Sequence, residues 1–204
     1  AYRRQRQMCI RDSNTTMNMD RLVIKQILGN EQVTQYYVVS LIGKTLVLLI
    51  APINTIVISY LTKRKERLTR SQFGKAVLAG GGVSLVFFVA CQIGTPLFVW
   101  LFYRNLYESV KGIVTVVNLA QILGLFSAFL FILVLTFTDE RWQLWIQLTH
   151  FCILLVSSVL AARTYGMMGF AVASLGANSL RVAAVVILGI VKAGKDKGDR
   201  NADR

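Results

Sequence analysis

Two basic residues lie deep inside long apolar stretches of the chain. Lys44 falls near the middle of the stretch 34–61, and Arg181 falls well inside the stretch 166–191. A charge near the centre of a bilayer costs roughly 2.5–3.5 kcal/mol on insertion scales, so each side chain should face protein or water. None of the long apolar stretches contains Asp or Glu. Basic groups at depth without acids suit an anionic ligand and disfavour a cationic one.

Amide side chains follow these cations at helical spacing. Asn178 shares a face with Arg181, and Asn118 has Gln121 at the edge of its own face. Such amides often serve only as interhelical hydrogen bonds worth about 1 kcal/mol, and that structural role stays open for each of them. Several helices that each carry a polar face nevertheless indicate a shared hydrated interior. We therefore predict a ligand site formed by Lys44, Arg181, Asn118, Gln121 and Asn178.

The sequence shows no catalytic or metal-binding pattern. His150 is the only histidine, and we interpret it as a hydrogen-bonded bundle residue with a proton relay as the alternative. Cys9, Cys91 and Cys152 are scattered without ligand spacing, which argues against zinc and against a disulfide framework. Gly80–Gly82 is not a phosphate loop, because no Lys-Ser/Thr follows it. We predict that the chain is not an enzyme and uses no metal or cofactor.

Composition indicates which elements position the ligand site. Hydrophobic residues make up 54% of the chain and charged residues 16%, against about 25% charged in soluble domains. A membrane-spanning helix needs about 20 apolar residues. Five stretches meet that requirement: 34–61, 76–103, 111–137, 142–163 and 166–191. We predict an all-α, polytopic transmembrane helix bundle with five complete spans plus one truncated N-terminal helix.

Basic residues give the orientation of these spans. The net charge is +13, and basic residues concentrate in the segment 62–75 and in the tail from Lys192. Lys and Arg are retained on the cytoplasmic side of membrane proteins, so both segments should be cytoplasmic. The excess of basic residues does not indicate a nucleic-acid site, because nucleic-acid-binding modules are not built from long uncharged apolar segments. We predict a multi-pass protein of a bacterial cytoplasmic (inner) membrane.

The ends of the chain differ from the bundle in character. Residues 1–13 form neither a signal peptide nor a span, and the run Arg6–Ser13 resembles translated sequencing-adapter read-through. We interpret 1–13 as non-native, with a genuine basic tail as the alternative. The bundle is then predicted over 14–192, followed by a basic cytoplasmic tail over 193–204. On this interpretation the natural protein extends upstream of Asn14.

Several short motifs resemble one transporter family. Asp20–Gly29 begins with Asp-Arg and ends in Leu-Gly after a short apolar run, and Tyr36–Val39 opens the next helix. These residues resemble the flippases of the multidrug/oligosaccharidyl-lipid/polysaccharide exporter superfamily. The proline-bearing segment Pro52–Lys65 and the late segment Tyr165–Ala173 are also similar to that family. The resemblance covers about residues 20–191 and rests on short, degenerate motifs.

The resemblance implies a function and a set of roles. Members have two six-helix halves around a central lumen and work by alternating access, and this chain resembles the C-terminal half. The polysaccharide branch moves polyprenyl-diphosphate-linked oligosaccharides to the outer leaflet during polysaccharide, O-antigen or capsule biosynthesis. On this hypothesis Lys44 and Arg181 counter the diphosphate, while Asn118, Gln121 and Asn178 bind sugar hydroxyls. The partners are the lipid-linked oligosaccharide, membrane lipids and the missing N-terminal half.

Three further residues take structural or coupling roles on this hypothesis. Asp20 matches the family's acidic position and is expected to order the helix end or pair with Arg21. Pro52 is expected to kink its helix, because it removes a backbone hydrogen bond. Other functions remain open: a drug or metabolite exporter of the same superfamily, a membrane-embedded glycosyltransferase or polysaccharide polymerase, and a non-catalytic membrane subunit. The short outer connectors disfavour the enzyme.

Overall fold

The chain forms helices throughout nearly all of its described length. The computed structural model describes residues 20–63, 70–135, 138 and 140–202. Residues 20–28 form helix α1. The others are α2 (Asn30–Lys63), α3 (Arg70–Phe102), α4 (Arg104–Val110), α5 (Val114–Leu135) and α6 (Glu140–Ala202). No described residue lies in a strand, so the predicted all-helical class is confirmed over this part of the chain.

Two glycines of the described chain adopt a left-handed backbone conformation between helical segments. Gly29 separates α1 from α2 with a φ of 94°, and Gly166 interrupts α6 with a φ of 62°. Residues with a Cβ rarely adopt this left-handed region, whereas glycine enters it without steric cost. Pro52 lies inside α2, which continues beyond it to Lys63.

The long helix α6 folds back on itself at Gly166. Its span-like part, Leu144–Lys192, has 49 residues, which would extend roughly 74 Å if straight, against about 30 Å of bilayer hydrocarbon. Residues far apart in its sequence instead touch: Asn178 lies 3.3 Å from His150, and a Cβ added to Gly169 would collide with the carbonyl oxygen of Ala161. The halves 140–165 and 167–202 are therefore antiparallel.

Three helices of the described chain are long and apolar enough to cross a membrane: Arg70–Phe102, Val114–Val134 and Leu144–Lys192. Their outer faces carry exposed large apolar side chains such as Leu78, at 77% exposure, and Leu160, at 60%. Apolar exposure on this scale suits lipid rather than water. Transmembrane character is thus supported, but the prediction of five complete spans is not confirmed. The first predicted span, 34–61, corresponds to α2, several of whose side chains are not described.

Helix α5 is the centre of the bundle and packs against α2, α3 and α6. One apolar cluster includes Tyr36, Val117 and Phe170, and the Tyr36 and Phe170 rings meet edge to face at 5.2 Å. A second cluster includes Phe73 and Val185. The two clusters lie on either side of the polar contacts made by α5 with α6. Residues 1–19, 64–69, 136–137, 139 and 203–204 lie outside the described residues. The interpretation of 1–13 and the cytoplasmic side assigned to 62–75 therefore stay predictions.

Candidate functional site

A cluster of polar side chains lies between the two halves of α6. Arg181 Nη2 donates to Gln147 Oε1 at 2.9 Å, and Asn178 Oδ1 lies 3.3 Å from His150 Nε2. The sequence places these residues on two separate helical faces, and the fold at Gly166 brings the faces together. The cluster consists of Gln147, His150, Asn178 and Arg181.

Hydrogen bonding fixes the orientation of the Asn178 amide and of the His150 ring. Asn178 Nδ2 donates to the Ala120 carbonyl of α5 at 2.9 Å, which directs Oδ1 toward His150. Because an amide oxygen only accepts, His150 Nε2 carries the hydrogen in the neutral ring. His150 is 5% exposed, and its Nδ1 is a buried acceptor with no hydrogen-bond partner among the described atoms. His150 is thus a buried, hydrogen-bonded residue between the two halves of α6, which agrees with the predicted bundle role.

Arg181 is half-buried and is held by contacts to two neighbouring helices. Besides its bond to Gln147, its guanidinium stands over the Phe131 ring of α5 at 5.4 Å from the ring centroid. The apolar stretch 142–191 contains no acidic residue, and its basic residues are Arg163 and Arg181. The amide and the ring therefore hold a cation in a part of the chain whose own charge is entirely positive.

The second predicted cation lies in a different cluster, at the contact between α1 and α2. Lys44 Nζ forms an ion pair with Asp20 Oδ2 at 2.6 Å, and both side chains are 14% exposed. The guanidinium of Arg21 lies 4.2 Å from the centroid of the Tyr37 ring. Asp20 Oδ1 also accepts from the Arg21 backbone N–H at 2.8 Å. The sequence predicts that Asp20 pairs with Arg21 or orders the helix end. In the structure its carboxylate accepts from the Arg21 backbone and also pairs with Lys44.

Gln121 lies where α5 meets α2. A Cβ added to Gly43 would lie 2.9 Å from Gln121 Cβ, so the glycine permits the close approach of the two helices. The Gln121 side chain also approaches the hydroxyl of Tyr36. Gln121 therefore contacts Gly43, the residue next to Lys44 in α2. The helices α3 and α4 separate α2 from α5 in the sequence.

Asn118 is fully buried between α3 and α5. Its Oδ1 accepts from Thr95 Oγ1 at 3.2 Å, and its Nδ2 donates to the Cys91 carbonyl at 3.1 Å and to Gln92 Oε1 at 3.0 Å. Gln92 Nε2 in turn donates to Thr115 Oγ1 at 3.0 Å. In this conformation the Asn118 amide joins helices, and its sugar-binding role stays a prediction.

Sequence reasoning missed Gln92 and did not foresee that the predicted ligand residues divide among three clusters. The signal available for Gln92 was a glutamine inside the apolar run 85–94 of α3. No group of three or more His, Cys, Asp or Glu side chains among the described residues is placed to hold a metal ion. No family model, curated protein or solved structure matches the chain significantly. The site must therefore be interpreted from its own chemistry.

Proposed function

We propose that the chain is part of a membrane transporter that moves a polyprenyl-diphosphate-linked oligosaccharide across the cytoplasmic membrane, acting as the C-terminal half of a flippase. The observation that carries the proposal is Arg181, held between the halves of α6 beside His150, Asn178 and Gln147. A cation there attracts the diphosphate, and neutral amides can exchange their interhelical bonds for sugar hydroxyls. The five-span topology of the sequence prediction belongs to this proposal.

The α1–α2 cluster carries one net positive charge, because Asp20 and Lys44 balance each other and Arg21 adds a cation beside them. A cationic drug would require a carboxylate to balance its charge in the bilayer. Asp20, an acidic residue of α1, already forms the ion pair with Lys44. Breaking that pair would leave a half-buried charge without compensation, which is strongly unfavourable. The described arrangement therefore offers positive charge and amides rather than acids.

Lys44 has a conditional role in this proposal. In the conformation described here its charge is balanced by Asp20, so it contributes to diphosphate binding only when α1 and α2 separate. Alternating access involves such helix movements, because the site must open to each side in turn. Arg181 is consequently the first residue to test.

Binding can be measured without requiring the chain to complete a transport cycle. The full chain is reconstituted in nanodiscs and titrated with a fluorescent polyprenyl-diphosphate disaccharide, with a lipophilic phosphonium cation as a competitor. A contact with a charged group contributes about 1.5–3 kcal/mol, so Arg181→Gln should weaken binding roughly 10–100-fold. Arg181→Lys, which keeps the charge, should lose less.

The matched control is Arg163→Gln, which removes an exposed arginine of the same helix. It should leave the affinity within about twofold of that of the unsubstituted chain, because a surface substitution away from the site usually changes a free energy by no more than about 0.5 kcal/mol. Equal losses in both variants, or no saturable binding of the diphosphate lipid, would overturn the proposal. Preferential binding of the phosphonium cation would favour the drug exporter instead. Helical content and monodispersity of each variant show that it is folded.

A further inference from the structure

A small cavity of about 160 Å³ lies where α3, α4 and α5 meet, away from the α6 cluster. Its polar lining comes from all of these helices and the turn between them: Gln92, Tyr107, Lys111 and Thr115. The remainder of the lining is one proline and three valines. Lys111 and Thr115 are exposed, so the cavity reaches the surface.

A series of hydrogen bonds, running from the buried Thr95 to the exposed Thr115, holds the polar side of this cavity in place. The Thr95 hydroxyl donates to Asn118, Asn118 donates to Gln92, and Gln92 donates to the Thr115 hydroxyl. Both amide atoms of Gln92 are therefore fixed by α5. Groups held by a second layer of bonds lose little freedom when a ligand arrives. Thr115 accepts through its oxygen, so its own hydrogen can be donated to a ligand.

Pro96 adds an acceptor to the same wall. In a regular helix the carbonyl of residue 92 would accept from the N–H of residue 96, and proline has no N–H. The Gln92 carbonyl therefore lacks that helical donor. Gln92 and Pro96 both line the cavity. The cavity is thus lined by polar residues of α3, α4 and α5, among them Gln92, Tyr107 and Thr115, beside apolar side chains.

The charge at the mouth of the cavity is balanced. The Lys111 ammonium forms an ion pair with the Glu108 carboxylate one turn earlier in the chain. A phosphate would be attracted by Lys111 and repelled by Glu108 to a similar extent, and a cation would meet the converse. A neutral ligand with hydroxyls and apolar C–H faces fits both parts of the lining. A cavity of about 160 Å³ is below the roughly 300–1,000 Å³ of drug-sized pockets and suits a single small unit.

We propose that this cavity binds one neutral sugar unit through Thr115, Tyr107 and the Gln92 carbonyl. The biological meaning rests on the proposed function, in which that unit belongs to the glycan of the lipid-linked oligosaccharide. The segment 62–75, before α3, is predicted to be cytoplasmic, so 104–110 at the other end of α3 would lie outside. The cavity would then receive the sugar on the side of release. Recognition there depends on hydroxyl geometry, whereas Arg181 recognises the diphosphate.

The test uses soluble sugars without a lipid or a diphosphate. The full chain in nanodiscs is titrated with methyl β-glucopyranoside and with N-acetylglucosamine, and binding is followed by saturation-transfer NMR. Loss of one neutral hydrogen bond corresponds to about 0.5–1.5 kcal/mol, or roughly a 2–10-fold increase in the dissociation constant. Thr115→Val and Tyr107→Phe should each show that increase for at least one sugar.

Each variant has a control that differs by one feature. Thr115→Ser keeps the hydroxyl, and Tyr103→Phe removes a hydroxyl from a neighbouring exposed tyrosine outside the cavity. Both should retain the affinity of the unsubstituted chain. Three results would each overturn the inference. The first is that neither sugar binds, and the second is that inorganic phosphate binds more strongly than either sugar. The third is that Thr115→Val binds as well as Thr115→Ser while Tyr107→Phe is also unchanged.

The two proposals fail separately. If the polyprenyl-diphosphate lipid binds in an Arg181-dependent manner but the soluble sugars do not bind, only the cavity assignment fails. If the sugars bind with the expected loss in Thr115→Val while the diphosphate lipid does not bind, the cavity is a sugar site and the flippase proposal fails. Tyr107→Phe provides a test that does not depend on how Thr115→Val folds, because it removes a hydroxyl outside the series of hydrogen bonds from Thr95 to Thr115.

Discussion

The α1–α2 junction and the turn between α3 and α5 contain the same two kinds of interaction at different burial. In the junction, the ion pair Asp20–Lys44 joins side chains that are each 14% exposed. In the turn, Glu108 and Lys111 are 74% and 56% exposed. The first pair joins residues 24 apart in sequence, and the second joins residues three apart. The same kind of ion pair thus links α1 to α2 at the junction and lies on the exposed surface at the turn.

The arginine–aromatic contacts differ in the same way. Arg21 lies 4.2 Å from the Tyr37 ring centroid at the junction, whereas Arg104 lies 5.8 Å from the Trp100 ring centroid at the end of α3. Water screens exposed charges and competes for their hydrogen bonds, so the junction should contribute to stability and the turn should contribute little. The burial of each contact, rather than its residue types, determines how much it contributes to stability.

The largest effect should follow from Lys44→Met, which leaves the largely buried Asp20 carboxylate without its ammonium. Breaking a buried pair by removing one partner costs about 3–5 kcal/mol, while replacing both partners is often nearly neutral. Lys44→Met should therefore lower the free energy of unfolding strongly, and the double variant with Asp20→Asn should recover most of the loss. The measurement is SDS titration in mixed micelles. A double variant as unstable as the sum of both single variants would show that the pair is not coupled.

A glycine lies next to the lysine of each region, and the two glycines should respond differently to Ala. A Cβ at Gly43 would lie 2.9 Å from Gln121 Cβ, whereas a Cβ at Gly112 would have no atom within 4 Å. Overpacking of a close contact typically costs about 1–3 kcal/mol, so Gly43→Ala should lower stability by that amount. Gly112→Ala should not lower it. Unfolding in the same micelles checks both, and equal losses would refute the close α2–α5 contact.

Removal of each arginine tests the aromatic contacts. A desolvated cation–π contact contributes about 2 kcal/mol and an exposed one about 0.5–1 kcal/mol. Arg21→Gln should therefore lower the free energy of unfolding by more than Arg104→Gln does. The comparison is the difference between the two variants in one SDS titration series. An Arg104→Gln loss equal to or larger than the Arg21→Gln loss would place the important contact at the turn instead.

The contrast also shows what the sequence could predict. Hydropathy predicts the helical stretches well: 76–103 and 111–137 correspond to Arg70–Phe102 and Val114–Leu135. The break expected between 163 and 166 occurs at Gly166, where the chain folds back. These features depend on local composition, so a single sequence contains them. The turn ion pair, three residues apart, is of the same local kind.

Contacts between distant residues could not be obtained in that way. Helical periodicity places Lys44 on a polar face of α2 but does not state which helix faces it, so the Asp20 pair was not predicted. The same holds for the Asn118 contacts with α3 and for the meeting of Arg181 with Gln147. The sequence predicted which residues are polar at depth; helix packing determines which of them share a cluster.

The smallest effect should be that of Lys111→Gln at the turn. The hydrogen bond and the charge of Glu108 raise the pKa of the Lys111 ammonium. A group whose pKa is raised on folding contributes its stability below the unfolded pKa, and that contribution is lost as pH rises through the folded pKa. Both values for this lysine lie above neutrality, since the ordinary lysine pKa is about 10.4. The contribution should thus be constant between pH 6 and 9, and small because solvent screens the pair. SDS titrations of the variant and the unsubstituted chain at pH 6, 7.5 and 9 should overlap. A loss of stability as large as that of Lys44→Met would mean that the turn is buried in the folded protein. The contrast between the two regions would then not hold.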